Sequence, residues 1–416
     1  MTAHALRRNT IRLGPGWWSQ IQRPMWWLLV FLAFLPSRIA FAQKPPAAAD
    51  VGLLRDAAEL IAKGEMAPAE SELQFALRQA PNDPHALNLL GIVRAQQRRD
   101  TEAEALFKQA IQEAPDFTSA HVDLGLLYAQ AGRDDDAVAQ FTEALKQDPS
   151  RTDASNALLG VYRAQARAAV QAGKPEKALA VLMEARKVGP KDPDTVFDFG
   201  MVALRMSLFP DAIEAFRQVL EIRDDDANAM YGLGRALIGE TKYQDARDQF
   251  EHYLQIRPKD ASGHYALGLA LASLQQTAAA RREFEESVRL SPQQTESYFQ
   301  LGLLDLNENQ LDQAAERFHH VLQRDPEHAG ALTGLGQVDF ERKNYTDATV
   351  LLKRAVARDP SLRQAHYYLG LSYARTGRKQ EAEQELQTAS QLDQQEVKKR
   401  QENLRLLPEG NPASSQ

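Results

Sequence analysis

Two consecutive stretches decide the fold: PHALNLLGIVRAQQRRDTEAEALFKQAIQEAPDF, residues 84–117, and TSAHVDLGLLYAQAGRDDDAVAQFTEALKQDPSR, residues 118–151. Aligned, they put Gly91 over Gly125, Ala103 over Ala137, Phe107 over Phe141 and Pro115 over Pro149. Four columns recurring in phase at 34 residues mark a repeat array, in which each unit needs only its neighbours, rather than one large core.

The columns extend in both directions. The alanine ladder is Ala69, Ala103, Ala137, Ala178, Ala212, Ala246, Ala280, Ala314, Ala348 and Ala382, with one interval of 41 residues, between Ala137 and Ala178, and every other interval of 34. Twelve residues before each alanine stands Ala57, Gly91, Gly125, Ala166, Gly200, Gly234, Gly268, Gly302, Gly336 or Gly370. Four residues after each stands Leu or Phe, from Leu73 to Leu386. Twelve residues after comes proline in eight units, with Asp224 and Gln394 in the other two. Small side chains let two antiparallel helices cross closely, and the large apolar residue fills the space between one helix pair and the next. Proline ends the second helix. Turn signals such as Ala131-Gly132-Arg133-Asp134 and Thr376-Gly377-Arg378-Lys379 fall between paired helices.

This pattern resembles the tetratricopeptide repeat, with small residues at positions 8 and 27, alanine at 20, an aromatic at 24 and proline at 32. The resemblance implies an all-α solenoid, a right-handed superhelix of about ten helix-turn-helix units at 50–83, 84–117, 118–151, 159–192, 193–226, 227–260, 261–294, 295–328, 329–362 and 363–396. Position 4, often tryptophan in the family, is here Leu, His, Tyr, Val or Met, including His121, His264 and His366. The excess falls at 152–158, TDASNAL, about two helical turns. The expectation is a backward extension of the fourth unit's first helix. The competing reading is a bend dividing 50–151 from 159–396. Residues 397–407 are expected to form a polar capping helix, as solenoid ends require, and 408–416 a disordered tail.

Composition agrees. Charged residues make up 25% and hydrophobic ones 44% of the 416 residues, ordinary for a folded soluble chain, and the abundance of Ala, Leu, Gln, Glu and Arg favours helix. The net charge is −7. With no basic stripe to neutralise phosphates, nucleic acid is not expected as a partner. The absence of cysteine removes disulfides, thiolate metal sites and cysteine catalysis.

Residues 1–42 differ from the body. They hold Arg7, Arg8, Arg12, Arg23 and Arg38 and no acid, with the apolar run MWWLLVFLAFL at 25–35 and Ala40-Phe41-Ala42 after it. Charged leader, short apolar stretch and small-x-small site resemble a secretory signal peptide cleaved before Gln43. The run is short for a permanent span, so a membrane anchor over 25–42 is the alternative. Either way the body is expected to be exported, periplasmic or secreted. All four tryptophans lie in this leader, and 43–49 reads as a flexible linker.

No catalytic or metal constellation stands out. His319, His320 and His328 lack a metalloprotease-type spacing and read as solvated. Asp134-Asp135-Asp136 and Asp224-Asp225-Asp226 lack the rest of a calcium loop and read as helix N-caps. Neither cofactor nor metal is expected.

The resemblance also implies that first helices line a concave groove through positions 2, 5, 9, 12 and 13. Those positions supply Arg163, Arg167, Phe197, Met201, Arg205, Tyr231, Arg235, Tyr265 and Phe299 in the middle of the array. Rigid aromatics and arginines often anchor interfaces, so this cluster is the candidate dock for a peptide or partner helix carrying some negative charge. The competing use is bracing of neighbouring helices. The family's clamp for a C-terminal carboxylate needs Lys and Asn at set positions of three consecutive units, and no such set occurs. The expected role is therefore a non-enzymatic scaffold in a cell-envelope assembly. A structural spacer, a self-assembling repeat protein and a non-catalytic subunit of an envelope enzyme complex are the alternatives. A catalytic reading needs an added domain, for which 1–49 and 397–416 are too short.

Overall fold

The computed structural model describes residues 49–405, and among them there are helices and turns and no strand. The leader 1–42, most of the linker and the tail beyond Arg405 lie outside the described residues. The helices come in pairs: α1 (Val51–Ala62) with α2 (Met66–Gln79), α3 (Pro84–Gln96) with α4 (Asp100–Glu113), α5 (Thr118–Gln130) with α6 (Asp134–Gln147), α7 (Thr152–Gln171) with α8 (Pro175–Val188) and α9 (Pro193–Arg205) with α10 (Phe209–Ile222). Five more pairs follow: α11 (Ala227–Gly239) with α12 (Tyr243–Ile256), α13 (Ala261–Ser273) with α14 (Thr277–Leu290), α15 (Thr295–Asn307) with α16 (Leu311–Arg324), α17 (Ala329–Glu341) with α18 (Tyr345–Arg358) and α19 (Arg363–Arg375) with α20 (Lys379–Arg405). The chain forms two compact units, one up to Gly232 and one from Leu233. The division falls inside α11, not at the 152–158 insertion.

The turn within each pair is the same ten times over. Position 15 is left-handed in every repeat. It is glycine at Gly64, Gly132, Gly173 and Gly377, but Arg98, Ser207, Thr241, Gln275, Asn309 and Lys343 adopt the same conformation, with φ between 58° and 66°. The next amide then donates back to the carbonyl of position 11, as in Arg99 N to Arg94 O at 2.9 Å and Asn344 N to Asp339 O at 2.8 Å. This is the bond by which a left-handed residue closes a helix end.

The glycines of position 8 have a sharper role than close helix crossing. A Cβ on Gly91 would lie 2.6 Å from the Phe107 ring, and one on Gly125, Gly268 or Gly302 would meet Phe141, Phe284 or Phe318 as closely. Position 8 is the seat of the ring at position 24 of the same repeat. All the Phe side chains there are fully buried. Where position 8 is alanine, at Ala57 and Ala166, position 24 is the smaller Leu73 or Leu182. Phe216 and Phe318 also reach the following repeat, where Gly232 and Gly334 leave room for them.

Second helices end near the proline column, and the next first helix starts on a cap. Asp83 accepts from Ala86 N at 2.9 Å, Asp192 from Thr195 N at 2.8 Å and Asp226 from Asn228 N and Ala229 N at 3.0 Å. Asp226 thus caps as expected. Asp134, Asp135 and Asp136 do not, because they already lie in the first turn of α6, whose N-cap is Arg133. Asp136 bonds Arg133 and Asp135 accepts from Gln165. The position-4 histidines staple this junction. The Nε2 atoms of His121, His264 and His366 lie 3.1, 3.1 and 3.0 Å from the carbonyl oxygens of Pro115, Pro258 and Pro360, while their Nδ1 atoms face Gln140, Glu283 and Glu385.

A further column links neighbours. Position 21 of one repeat meets position 11 of the next: Glu70 with Arg94 at 2.7 Å, Glu104 with the Tyr128 hydroxyl at 3.0 Å, and Arg281 with Asp305 at 2.6 Å.

The insertion behaves as two added turns. α7 has 20 residues where α5 and α9 have 13, and Arg151 at its start donates to Thr118 Oγ1 at 2.8 Å and Ser119 Oγ at 3.2 Å. At the other end α20 runs from Lys379 to Arg405 without a break. The segment expected as a separate cap from 397 is, as far as 405, the continuation of that helix. Ala49 is not part of a loose joint: it is buried, and its amide donates to Asp83 Oδ2 at 3.1 Å.

Candidate functional site

First helices of neighbouring repeats touch one another within each unit, α1 through α9 in the first and α15 through α19 in the second, more than second helices do. First helices therefore make the inner layer, and their free faces are the candidate binding surface.

In the first unit this face is tied up by ion pairs. Arg163 on α7 donates from Nε to Asp198 at 2.9 Å and from Nη1 to Asp194 at 3.0 Å, both on α9. Arg223 adds a second guanidinium on Asp194 at 2.8 Å. Burial pushes the Asp198 carboxyl up against the pull of Arg163. Asp194 also feels burial, but Arg163 and Arg223 together hold it below the usual carboxylate range. Burial opposes the charge of Arg163 itself, and Asp198 and Asp194 more than restore it. Arg163 is thus committed to its own chain. Arg167 turns its Nε back onto the Arg163 carbonyl at 3.2 Å. Phe197 is half-buried with its ring edge-on to Phe216 at 5.8 Å. Met201 is half-exposed and Arg205 exposed.

A second polar link lies between α3 and α5, where Asn88 Nδ2 donates to Asp123 at 2.7 Å. Burial pushes the Asp123 carboxyl up to about 7, against Asn88 and Arg151 and with help from Asp153.

Tyr231, in the first unit, and Arg235 and Phe299, in the second, were expected to face a partner, yet they are 8%, 7% and 8% exposed. Position number gives the face a residue occupies, not how deeply its side chain is buried there. Phe299 packs on Phe318 at 6.0 Å and His328 at 5.1 Å. Tyr265 remains half-buried, 6.0 Å from Phe284.

The histidines expected to be solvated are partly structural. His319 is exposed, but His320 stacks on Tyr298 at 3.6 Å, with burial and then Arg324 and Arg317 lowering its pKa. His328 accepts from Ala331 N at 3.0 Å and so caps α17. Among the described residues no group of three or more His, Asp or Glu side chains is placed to hold a metal ion, and no helix is long and apolar enough to cross a membrane.

The sequence reading missed a row of rings in the last two repeats. Tyr345, Phe340, Tyr368 and Tyr367 follow one another with centroids 5.4, 5.6 and 5.4 Å apart. Position 12, occupied by Phe340, was the available signal.

Comparison with known proteins agrees with this architecture. One tetratricopeptide repeat model matches residues 94–160, 305–367 and 339–401, and a second matches 54–117, 163–227, 197–261 and 231–295. No curated protein sequence matches the chain. Among solved structures, YrrB, described as a TPR protein with an unusual peptide-binding site, is 27% identical over 44% of this chain and 95% of its own, with a TM-score of 0.36. MamA from Desulfovibrio magneticus RS-1 is 25% identical over 41% of this chain and 96% of its own, with a TM-score of 0.38. The Cut9–Hcn1 structure is 12% identical over 82% of this chain and 93% of its own, with a TM-score of 0.46. The chain belongs to the tetratricopeptide repeat family, whose members generally serve as scaffolds for protein–protein interaction.

Proposed function

We propose that this chain holds peptide or helical segments of partner proteins against the inner face of its first helices, as a scaffold in a cell-envelope assembly. One observation carries the reading. Side chains at the inner positions of several repeats stay half-open instead of closing into the core: Met201 and Arg205 in the first unit, and Tyr265, Leu269, Leu303 and Leu371 in the second. An apolar strip with one open side suits the apolar face of an amphipathic segment. The envelope assignment is supported by the arginine-bearing, acid-free leader with its short apolar run and Ala40-Phe41-Ala42, which directs export to the periplasm or beyond, or holds the chain to the membrane through residues 25–42.

The test is capture from envelope extracts with full-length chain, comparing wild type with Met201→Glu/Arg205→Glu and with Leu269→Glu/Leu303→Glu. These sites are not fully buried, so helicity should survive. The same partner should be captured by wild type and lost with at least one pair. Capture unchanged by both pairs moves the site to the outer helices and sinks the reading. Recovery of the chain alone favours a spacer or self-assembling protein.

A further inference from the structure

We propose that the ring row Tyr345–Phe340–Tyr368–Tyr367 is a docking surface for a cationic, extended segment of a partner protein, one that presents arginine or lysine to the rings. The proposal rests on the scaffold reading and names the chemistry of one occupant.

The row begins at the first turn of α18, crosses the end of α17 and finishes on α19, where Tyr367 is 42% exposed. Tyr345, Phe340 and Tyr368 are half-buried. They are therefore fixed by packing while keeping one side open, a rigid platform that loses little freedom on binding. The faces of such rings are electron-rich and attract cations, and a guanidinium also stacks on them.

The charges beside the rings are Asp339, Glu341 and Asp347 against Arg342 and Lys343, a slight excess of acid. Glu341 follows Phe340 directly and is exposed. Asp339 precedes it, and Asp347 lies two residues beyond Tyr345. Burial pushes both the Tyr368 hydroxyl and the Asp339 carboxyl up, and Glu341 adds to the first and Asp347 to the second, while Asn344, Arg342 and His319 draw Asp339 back down. Of the two cations, Arg342 is engaged by Asp312. In the first unit, by contrast, Asp194 and Asp198 already have Arg163. The open rings and the exposed carboxylates of Glu341 and Asp347 together favour a positive ligand. A nucleic acid would be repelled, and a purely apolar helix would leave the acids unused.

The test uses the full chain and a fluorescein-labelled peptide alternating arginine with proline, against a twin carrying citrulline for each arginine, read by fluorescence anisotropy. The arginine peptide should bind about tenfold tighter than its uncharged twin. Tyr367→Ala should weaken it by about tenfold and Glu341→Gln by about threefold. Tyr367→Phe should keep most of the affinity, which separates loss of the ring from loss of the fold. Met183→Gln, at an exposed site on α8 in the first unit, should change nothing. Equal binding of both peptides, unchanged affinity in Tyr367→Ala, or a loss in Met183→Gln overturns the proposal. Such a failure beside intact variant-sensitive capture in the previous experiment would remove this surface and leave the scaffold reading standing.

Discussion

The link between position 21 and the following position 11 is built with opposite signs in the two units. In the first, the acid comes from the second helix, Glu70, and the base from the next first helix, Arg94. In the second, Arg281 supplies the base and Asp305 the acid. The surroundings differ as well. The Glu70 side chain is 22% exposed and shares Arg94 with Glu102, whereas the Asp305 side chain is fully buried, with a second guanidinium, that of Arg317, 4.0 Å away. The fold prescribes the place of the contact and leaves its polarity open. Polarity then becomes a label for which repeat follows which.

The comparison can be broken at its buried end. Arg281→Met leaves Asp305 without its close partner, and removing one member of a buried pair costs about 3–5 kcal/mol. Urea unfolding should show a loss of this size, against about 1 kcal/mol for Glu70→Gln at the more open site. Similar losses at both would mean that burial does not set the difference. The reversed pair, Arg281→Glu with Asp305→Arg, should recover part of the loss by reproducing the polarity of the first unit.

The first unit has its own weak point in Asp123. Its carboxyl, normally near 3.8, is pushed up to about 7, so the folded chain holds that proton more tightly than the unfolded chain. The associated stability is fully present below pH 4 and is lost as pH rises to about 7, by no more than about 4 kcal/mol. Asp123→Asn should flatten this part of the stability curve, and the carboxyl carbon should titrate near neutrality by NMR. A midpoint near 4 would refute the assignment.

Gly91→Ala should cost about 1–3 kcal/mol, because the added Cβ meets a buried ring that cannot withdraw. Combining it with Phe107→Leu should recover much of the loss relative to the sum of the single changes, since Ala57 with Leu73 already forms that combination in the first repeat. Additive losses in a double-mutant cycle would show that ring and seat are not coupled.

The smallest effect belongs to the turns. Left-handed position 15 is glycine in three repeats of the first unit and only at Gly377 in the second. Thr241→Gly, Gln275→Gly or Lys343→Gly should each stabilise the chain by about 0.5–1 kcal/mol, as relief of the strained conformation outweighs the added freedom of the unfolded chain. Thermal midpoints that fall instead would show that these side chains make compensating contacts.

The all-helical fold, its consecutive helix pairs and the backward growth of α7 were legible because one period carries them all. The site was legible only as a face. Arg163 was read as an open anchor because its partners Asp194 and Asp198 stand 31 and 35 residues away, one repeat along, where a scan within a single helix does not look. Tyr231 and Phe299 were placed on the correct helices, but how deeply each is buried depends on three-dimensional spacing that residue type does not encode. The strained turns at Arg98 or Lys343 leave no mark in composition, since the family's geometry imposes them on whatever residue is there.

The seating of the position-24 ring bears on how such an array changes its length. Lock and key sit within the same 34 residues, so a duplicated or deleted module brings its own fit with it. Contacts across a module border are a different matter: Phe216 and Phe318 need Gly232 and Gly334 of the following repeat, and Glu70 and Arg281 need the opposite charges of Arg94 and Asp305. Splicing modules from the two halves together should thus succeed where a junction keeps both the seat of the ring and the opposite charges, and lose stability where it does not.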